Sequence, residues 1–278
     1  MGWGDYIVTT GLVRRLKKQN PSLQILIQEP FNETKFYKDI FYKNPYVTDI
    51  KLFDQSKPHI KIPRILVGQN DENNLNKISW SNERVAEVGN FYQKEEEINF
   101  TRKCMNFIKD HWIDKNKKTP EGIIFISDKA KKSAIIDNID ISYDHSNNKE
   151  WGDAKWNDFI KICSNDYIII KTSPEKEDTP DGLYNITCDF RTCYSIMKEC
   201  NFFIGNHGGH SHLWAVTKKK GIVFYGHWFP PHIAGYPFHI NLTTDNHCGS
   251  LVKCEECINF YTNLEPEYIK YLLDKNIN

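Results

Sequence analysis

The residues best suited to chemistry lie in stretch 202–216. There an apolar run meets Gly208-Gly209, and His207, His210 and His212 flank the pair. Glycines at the mouth of a helix leave backbone N–H groups open to an anion, typically a phosphate. The spacing His207-x-x-His210-x-His212 could also suggest imidazole ligation of a metal, although no carboxylate or cysteine stands beside it. In the plainer alternative, Gly-Gly is a tight turn and the histidines decorate a surface. A second group is His247, Cys248, Cys254 and Cys257. Its CxxC pair and upstream ligands could close a tetrahedral site for a structural zinc or iron; otherwise these are free thiols. A third is Asp5, behind Gly2-Trp3-Gly4. By residue type alone it reads as a helix N-cap.

These side chains need elements to hold them. Residues 202–204 read as a buried strand stopped by Gly205-Asn206, residues 211–218 as a helix and residues 222–225 as the next strand. That is a βαβ unit, and the turn after its first strand is where open α/β sheets bind ligands. Upstream, the pattern predicts a helix over 6–19 and strands over 23–27 and 47–53, with a further short strand at 64–67. It predicts helices over 83–91 and 98–112, the latter burying Phe100, Cys104, Phe107 and Ile108. Residues 115–120 read as a linker. Strands at 122–127, 167–171 and 184–187, with another somewhere within 135–142, alternate with helices at 155–163 and 192–200, and a Pro266-led helix covers 267–273. In α/β domains a strand normally feeds the first glycine turn, yet here the turn opens the chain. The expectation is that the amino-terminal domain lacks its first strand.

A chain of 278 residues suggests roughly two domains. With 40% hydrophobic and 26% charged residues it belongs with globular proteins, and its net charge of +0 argues against a nucleic-acid partner. No apolar run approaches the ~20 residues needed to span a bilayer, and the first residues lack signal-peptide features. Eight cysteines without a dense framework fit reduced thiols. The expected location is cytoplasmic.

Four ordered segments resemble glycosyltransferase family 9, the ADP-heptose:lipopolysaccharide heptosyltransferase-like proteins. The first is Gly2-Trp3-Gly4-Asp5 with Thr9-Thr10, Leu16-Lys17 and Pro21. The second is the loop from His145 to Trp151, continued by Lys155-Trp156 and Phe159. The third runs from Ile204 to Val216 and is similar to the family's D-[ST]-G-x-x-H-L-A-A segment. The fourth is Cys254-x-x-Cys257 before Pro266-Glu267. The resemblance implies a GT-B fold, with two Rossmann-like domains facing across a cleft. Residues 1–118 would be the acceptor side and 119–278 the nucleotide-sugar side.

It also implies an inverting, metal-independent transfer of a heptose or other hexose-like sugar from a nucleotide-diphosphate donor to a glycan or lipid-linked acceptor. Peripheral membrane association would fit such an acceptor. Asp5 matches the family's general base, with Gly2 and Gly4 in the acceptor-side loop. Lys149, or else Lys155, would face the donor diphosphate, where a fixed cation stabilises charge developing on the leaving group. Asn206, His207, Gly208, Gly209, Ser211 and His212 match the donor loop. One departure matters: His207 stands where the family carries an aspartate. It motivates an alternative, a non-catalytic nucleotide- or sugar-binding homologue or assembly subunit. A weaker third reading is a metal-carrying interaction domain built on Cys248, Cys254 and Cys257.

Overall fold

The computed structural model describes residues 3–28, 39–63, 88–128, 133–136, 139–142, 150–226, 230–245 and 254–277. At residues 3, 5, 28, 63, 133–136, 139–142 and 233 it describes the backbone alone. Helix α1 (Trp3–Gln19) starts three residues earlier than the pattern predicts, because Gly4 is buried within its first turn rather than turning the chain. Strand β1 (Gln24–Gln28) pairs in parallel with β2 (His59–Pro63), and Leu12 and Val13 of α1 close a small core on Ile25 and Ile62. The strand expected at 47–53 is not formed. Asp49 accepts a hydrogen bond from Lys51 N–H at 2.9 Å and starts a 3-10 turn, Ile50–Leu52, whose apolar side chains stay in solvent. The strand expected at 64–67 and the first part of the helix expected at 83–91 lie outside the described residues, and residues 88–91 form no helix.

Helix α2 (Glu95–Asn116) runs two residues into the expected 115–120 linker and ends at Lys117, which adopts a left-handed conformation. Its buried stripe is Glu97, Thr101, Met105, Ile108 and Trp112, so Phe100 and Phe107 face solvent, the latter 70% exposed. Apolar periodicity misread this face because two of its members are polar. Glu97 is buried against Arg191, a partner 94 residues away.

The remaining elements are β3 (Gly122–Ser127), an antiparallel hairpin of β4 (Ser133–Ile136) and β5 (Ile139–Ser142), and α3 (Asp153–Cys163). Then follow β6 (Tyr167–Ser173), β7 (Leu183–Thr187), α4 (Phe190–Glu199), β8 (Phe202–Asn206) and α5 (Gly209–Val216). The chain continues through β9 (Gly221–Gly226), α6 (Pro231–Ala234), β10 (Ile240–Thr243), α7 (Glu255–Asn263) and α8 (Pro266–Asn276). Six strands form one parallel sheet in the order β10-β9-β8-β3-β6-β7.

Counted along this sheet, that order is the 3-2-1-4-5-6 arrangement of a Rossmann fold. Both faces of its centre are covered, which is why β3, β8 and β9 read as nearly continuous apolar runs. Ile123, Phe125, Phe203 and Val223 pack towards α2, α4 and α5, whereas Ile124, Ile126, Phe202 and Phe224 pack towards α3, α7 and α8. Ile7 of α1 joins the first of these cores, which ties the amino-terminal segment to the sheet.

Candidate functional site

The strand order reverses between β3 and β8. Their carboxyl ends, Ser127-Asp128 and Asn206, therefore mark the crevice where such sheets take ligands. Two helix starts that are far apart in sequence, those of α1 and α5, meet beside it. A β-carbon added at Gly4 would sit 2.7 Å from Cδ2 of His212 and 3.4 Å from the Cα of Gly209. The first turns of α1 and α5 can cross this closely only because a glycine lies between them.

At the start of α5, Ser211 Oγ accepts from Gly208 N–H at 3.1 Å and donates to Gly208 O at 2.9 Å. The first hydrogen bond of the helix proper runs from His212 N–H to Gly208 O. The N–H groups of Gly209, His210 and Ser211 therefore have no acceptor within the helix and are placed to take an anion. A β-carbon at Gly208, the residue that precedes them, would meet no atom of the described residues within 4 Å.

The three histidines of this turn do three different things. His207 continues the sheet ladder through its N–H to Phe224 O, and its ring stacks on Tyr225 with centroids 4.7 Å apart. His210 shares a hydrogen bond between Nδ1 and Ser127 Oγ at 3.0 Å and stacks on Phe190. His212 is buried, and its Nδ1 lies 2.9 Å from the Tyr236 hydroxyl. The metal suggested by their spacing is not supported. Among the described residues no three His, Cys, Asp or Glu side chains could hold one.

Burial pushes the His210 imidazole down to about 4, against a partial upward pull from Asp128. His239, 6% exposed and with neither ring nitrogen hydrogen-bonded among the described residues, also falls to about 4, first through burial and then through the charge of His212. Both rings fold neutral. The unfolded chain takes up protons near pH 6.5 that the folded chain refuses until about pH 4, so stability falls as pH drops through that window. Urea midpoints at pH 7.5, 6 and 4.5 should show this decline. In His239→Phe the decline should be shallower, and an unchanged slope would remove His239 from the account.

The other expected site residues fare unevenly. Asn206 is buried at the end of β8; its Nδ2 reaches Asp128 O at 3.4 Å, while Oδ1 has no hydrogen-bond partner among the described residues. Asp5 sits in the first turn of α1, directly after Gly4, but its side chain lies outside the described residues, as do Gly2 and Lys149. Lys155, the alternative to Lys149, is committed elsewhere. Its Nζ donates to Thr262 O at 2.5 Å and Leu264 O at 2.9 Å and pairs with Glu265, closing the end of α7. Lys155→Met should therefore cost about 1–2 kcal/mol in chemical denaturation and leave nucleotide affinity unchanged. A loss of affinity without a loss of stability would return Lys155 to the donor site.

The neighbouring tryptophans are core anchors too. Trp151 donates to Leu264 O at 2.7 Å and meets Trp156 edge-on. At the carboxyl end, Cys254 Sγ caps α7 by accepting from Cys257 N–H, and Cys257 is buried. His247 and Cys248 lie outside the described residues.

Sequence reasoning missed one group at the crevice. Lys171, 5% exposed on β6, places Nζ 3.1 Å from Asp128 Oδ2 and 2.7 Å from Glu177 Oε2. Burial alone would lower its pKa, but the hydrogen bonds and charges of Glu177 and Asp128 outweigh burial and hold it above the ordinary lysine range. A lysine directly after Tyr167-Ile168-Ile169-Ile170 was the available signal, since a lone cation on a buried strand needs a carboxylate partner.

No protein-family model matches the chain, and no curated protein matches it. Among solved structures it is similar to a family 9 glycosyl transferase from Veillonella parvula DSM 2008. The TM-score is 0.56 at 12% identity, covering 100% of this chain and 94% of that one. It is also similar to the iron-containing dodecameric glycosyltransferase TibC from enterotoxigenic E. coli H10407. Here the TM-score is 0.60 at 11% identity, over 99% of this chain and 76% of that one. E. coli ADP-heptose LPS heptosyltransferase II aligns less well, with a TM-score of 0.42 at 12% identity, and the chain spans about half of its length (53%). Taken with the six-stranded parallel sheet, the two fuller matches establish the architecture: this chain has the α/β fold of GT-B glycosyltransferases.

Proposed function

We propose that the protein is an inverting glycosyltransferase that moves a heptose or other hexose-like sugar from a nucleotide-diphosphate donor to a glycan or lipid-linked acceptor. The observation that carries this reading is the meeting of Gly4 with Gly209 and His212. It brings the backbone of Asp5 beside the anion-ready turn of α5, at the reversal point of the sheet. In the proposed reaction the Asp5 carboxylate takes the proton of the acceptor hydroxyl. The freed oxygen attacks the anomeric carbon from the face opposite the diphosphate, and the bond to the diphosphate breaks with its electron pair leaving on phosphate. The amides of Gly209, His210 and Ser211, with Lys149, stabilise that charge. In this reading a division at about residue 118 would leave β1 and β2 on the acceptor side and the six-stranded sheet on the donor side, with α2 reaching across to pack on that sheet. A cytoplasmic protein with peripheral access to a lipid-linked acceptor fits this reading, and no helix among the described residues is long and apolar enough to cross a membrane. A structural zinc or iron at Cys248, Cys254 and Cys257 belongs to the proposal only as a site for metal analysis.

Calorimetry with ADP, GDP and UDP should detect binding of at least one, and Gly209→Trp should abolish it. Absence of binding to all three would overturn the donor site. The packing of His207 on Tyr225, where the family has an aspartate, favours a second reading, a binding homologue without turnover. Asp5→Ala separates the two. In an enzyme it removes transfer while nucleotide affinity is retained; a wild-type chain that binds nucleotide yet transfers nothing supports the second reading.

A further inference from the structure

His212 is held by more than its own helix. Tyr236, 1% exposed in the loop after α6, packs its ring with Val8 of α1 and Ala215 of α5. Its backbone is pinned as well, because its carbonyl accepts from Asn241 Nδ2 at 3.0 Å and from His239 N–H at 3.1 Å. The Tyr236 hydroxyl therefore meets Nδ1 of His212 from a rigid support, at 2.9 Å. The opposite edge of the imidazole faces α1: a β-carbon at Gly4 would lie 2.7 Å from Cδ2 and 3.5 Å from Nε2. Other groups around this ring are His207 from the end of β8, edge-on at 5.2 Å, and His239 from the same loop as Tyr236. Asp5 follows Gly4 on α1.

In a neutral imidazole one nitrogen donates and the other accepts, and the bond made by one decides what the other offers. We infer that Tyr236 is a positioning residue whose hydroxyl donates to Nδ1 of His212, fixing the tautomer with its hydrogen on Nε2 and aiming that N–H at the start of α1. There it meets anionic oxygen, whether the carboxylate of a base or the phosphate of a donor. A phenol is a good donor to a neutral ring nitrogen, and an N–H rather than a lone pair is what a crevice built for anions requires. This inference rests on the glycosyltransferase reading for its purpose but not for its test.

Long-range proton–nitrogen NMR of the full-length, nitrogen-15-labelled chain reads the tautomer directly, with His212 assigned by its loss in His212→Asn. The wild type should show His212 protonated on Nε2, and Tyr236→Phe should show a mixture of both tautomers. A hydrogen on Nδ1 in the wild type, or an unchanged spectrum in Tyr236→Phe, overturns the assignment. If Tyr236→Phe does not fold, the wild-type spectrum alone still decides.

With ADP-heptose as donor probe, Tyr236→Phe should lower kcat about tenfold, with donor KM within about twofold, as expected for one lost hydrogen bond. Combining it with His212→Asn should cost no more than His212→Asn alone, and additive losses would count against action through His212. Absence of wild-type turnover counts against the glycosyltransferase reading, and the spectrum still decides the role of Tyr236.

Discussion

Replacing Arg191 with alanine is expected to destabilise the protein by about 3–5 kcal/mol, read from the shift of the urea unfolding transition. The guanidinium is 2% exposed, and its Nε donates to Glu97 Oε1 at 2.6 Å. One terminal nitrogen donates to Tyr92 O at 2.5 Å and the other to Asp39 O. Its plane lies against Tyr42 at 4.9 Å and Phe91 at 4.8 Å. The side chain thus joins residues 39–42 and 91–97 to α4, segments with little sequence proximity. Alanine would strand the Glu97 carboxylate, 5% exposed, without its cation. The double variant Arg191→Met, Glu97→Met should lose much less than the sum of the two single changes, because no charge remains buried. A loss below about 1 kcal/mol for Arg191→Ala would show that this pair does not hold the segments together.

The second large effect is expected at Gly4. In Gly4→Val the first side-chain carbon would fall 2.7 Å from a carbon of the His212 ring, which is itself held by Tyr236 and cannot swing aside. Helix α1 must then move off α5. The cost in stability should be about 1–3 kcal/mol, and transfer should fall about 100-fold, since a displacement near 1 Å between reacting groups is enough for that. Gly208→Ala is the informative contrast. Its φ of 169° is extended backbone open to any residue, and no atom of the described residues lies within 4 Å of the added carbon. It should fold normally and weaken ADP binding only, because the methyl group enters the space before the helix amides. Equal transfer rates in wild type and Gly4→Val would mean that the α1–α5 crossing does not position the reaction.

The six-stranded sheet was largely visible in the chain. Residues 122–127 are a strand as the pattern predicts, and those at 167–171, 184–187 and 222–225 were each placed within two residues of their observed ends. Continuous apolar runs bounded by turns leave little choice in a sheet covered on both faces. The pattern was weaker where one polar contact outweighed apolar periodicity. Asp49 captured a local N–H and made a 3-10 turn of the expected strand at 47–53. The Glu97–Arg191 pair rotated α2 so that Phe107 faces water. Lys155 looked like a diphosphate ligand, and only its distances to Thr262 and Leu264 show it closing a helix end.

The glycine pair at 208–209 illustrates the same division. That it begins a helix after a buried strand, and so presents free amides at the carboxyl edge of a sheet, follows from local residue types. Neither the contact of Gly4 with Gly209 and His212 nor the grip of Tyr236 on His212 could be read that way. Local preference acts over a few residues through backbone sterics and capping. The Gly4 and Tyr236 contacts depend on how α1, α5 and the loop after α6 pack around one imidazole, and packing joins residues according to shape and burial rather than their distance along the chain.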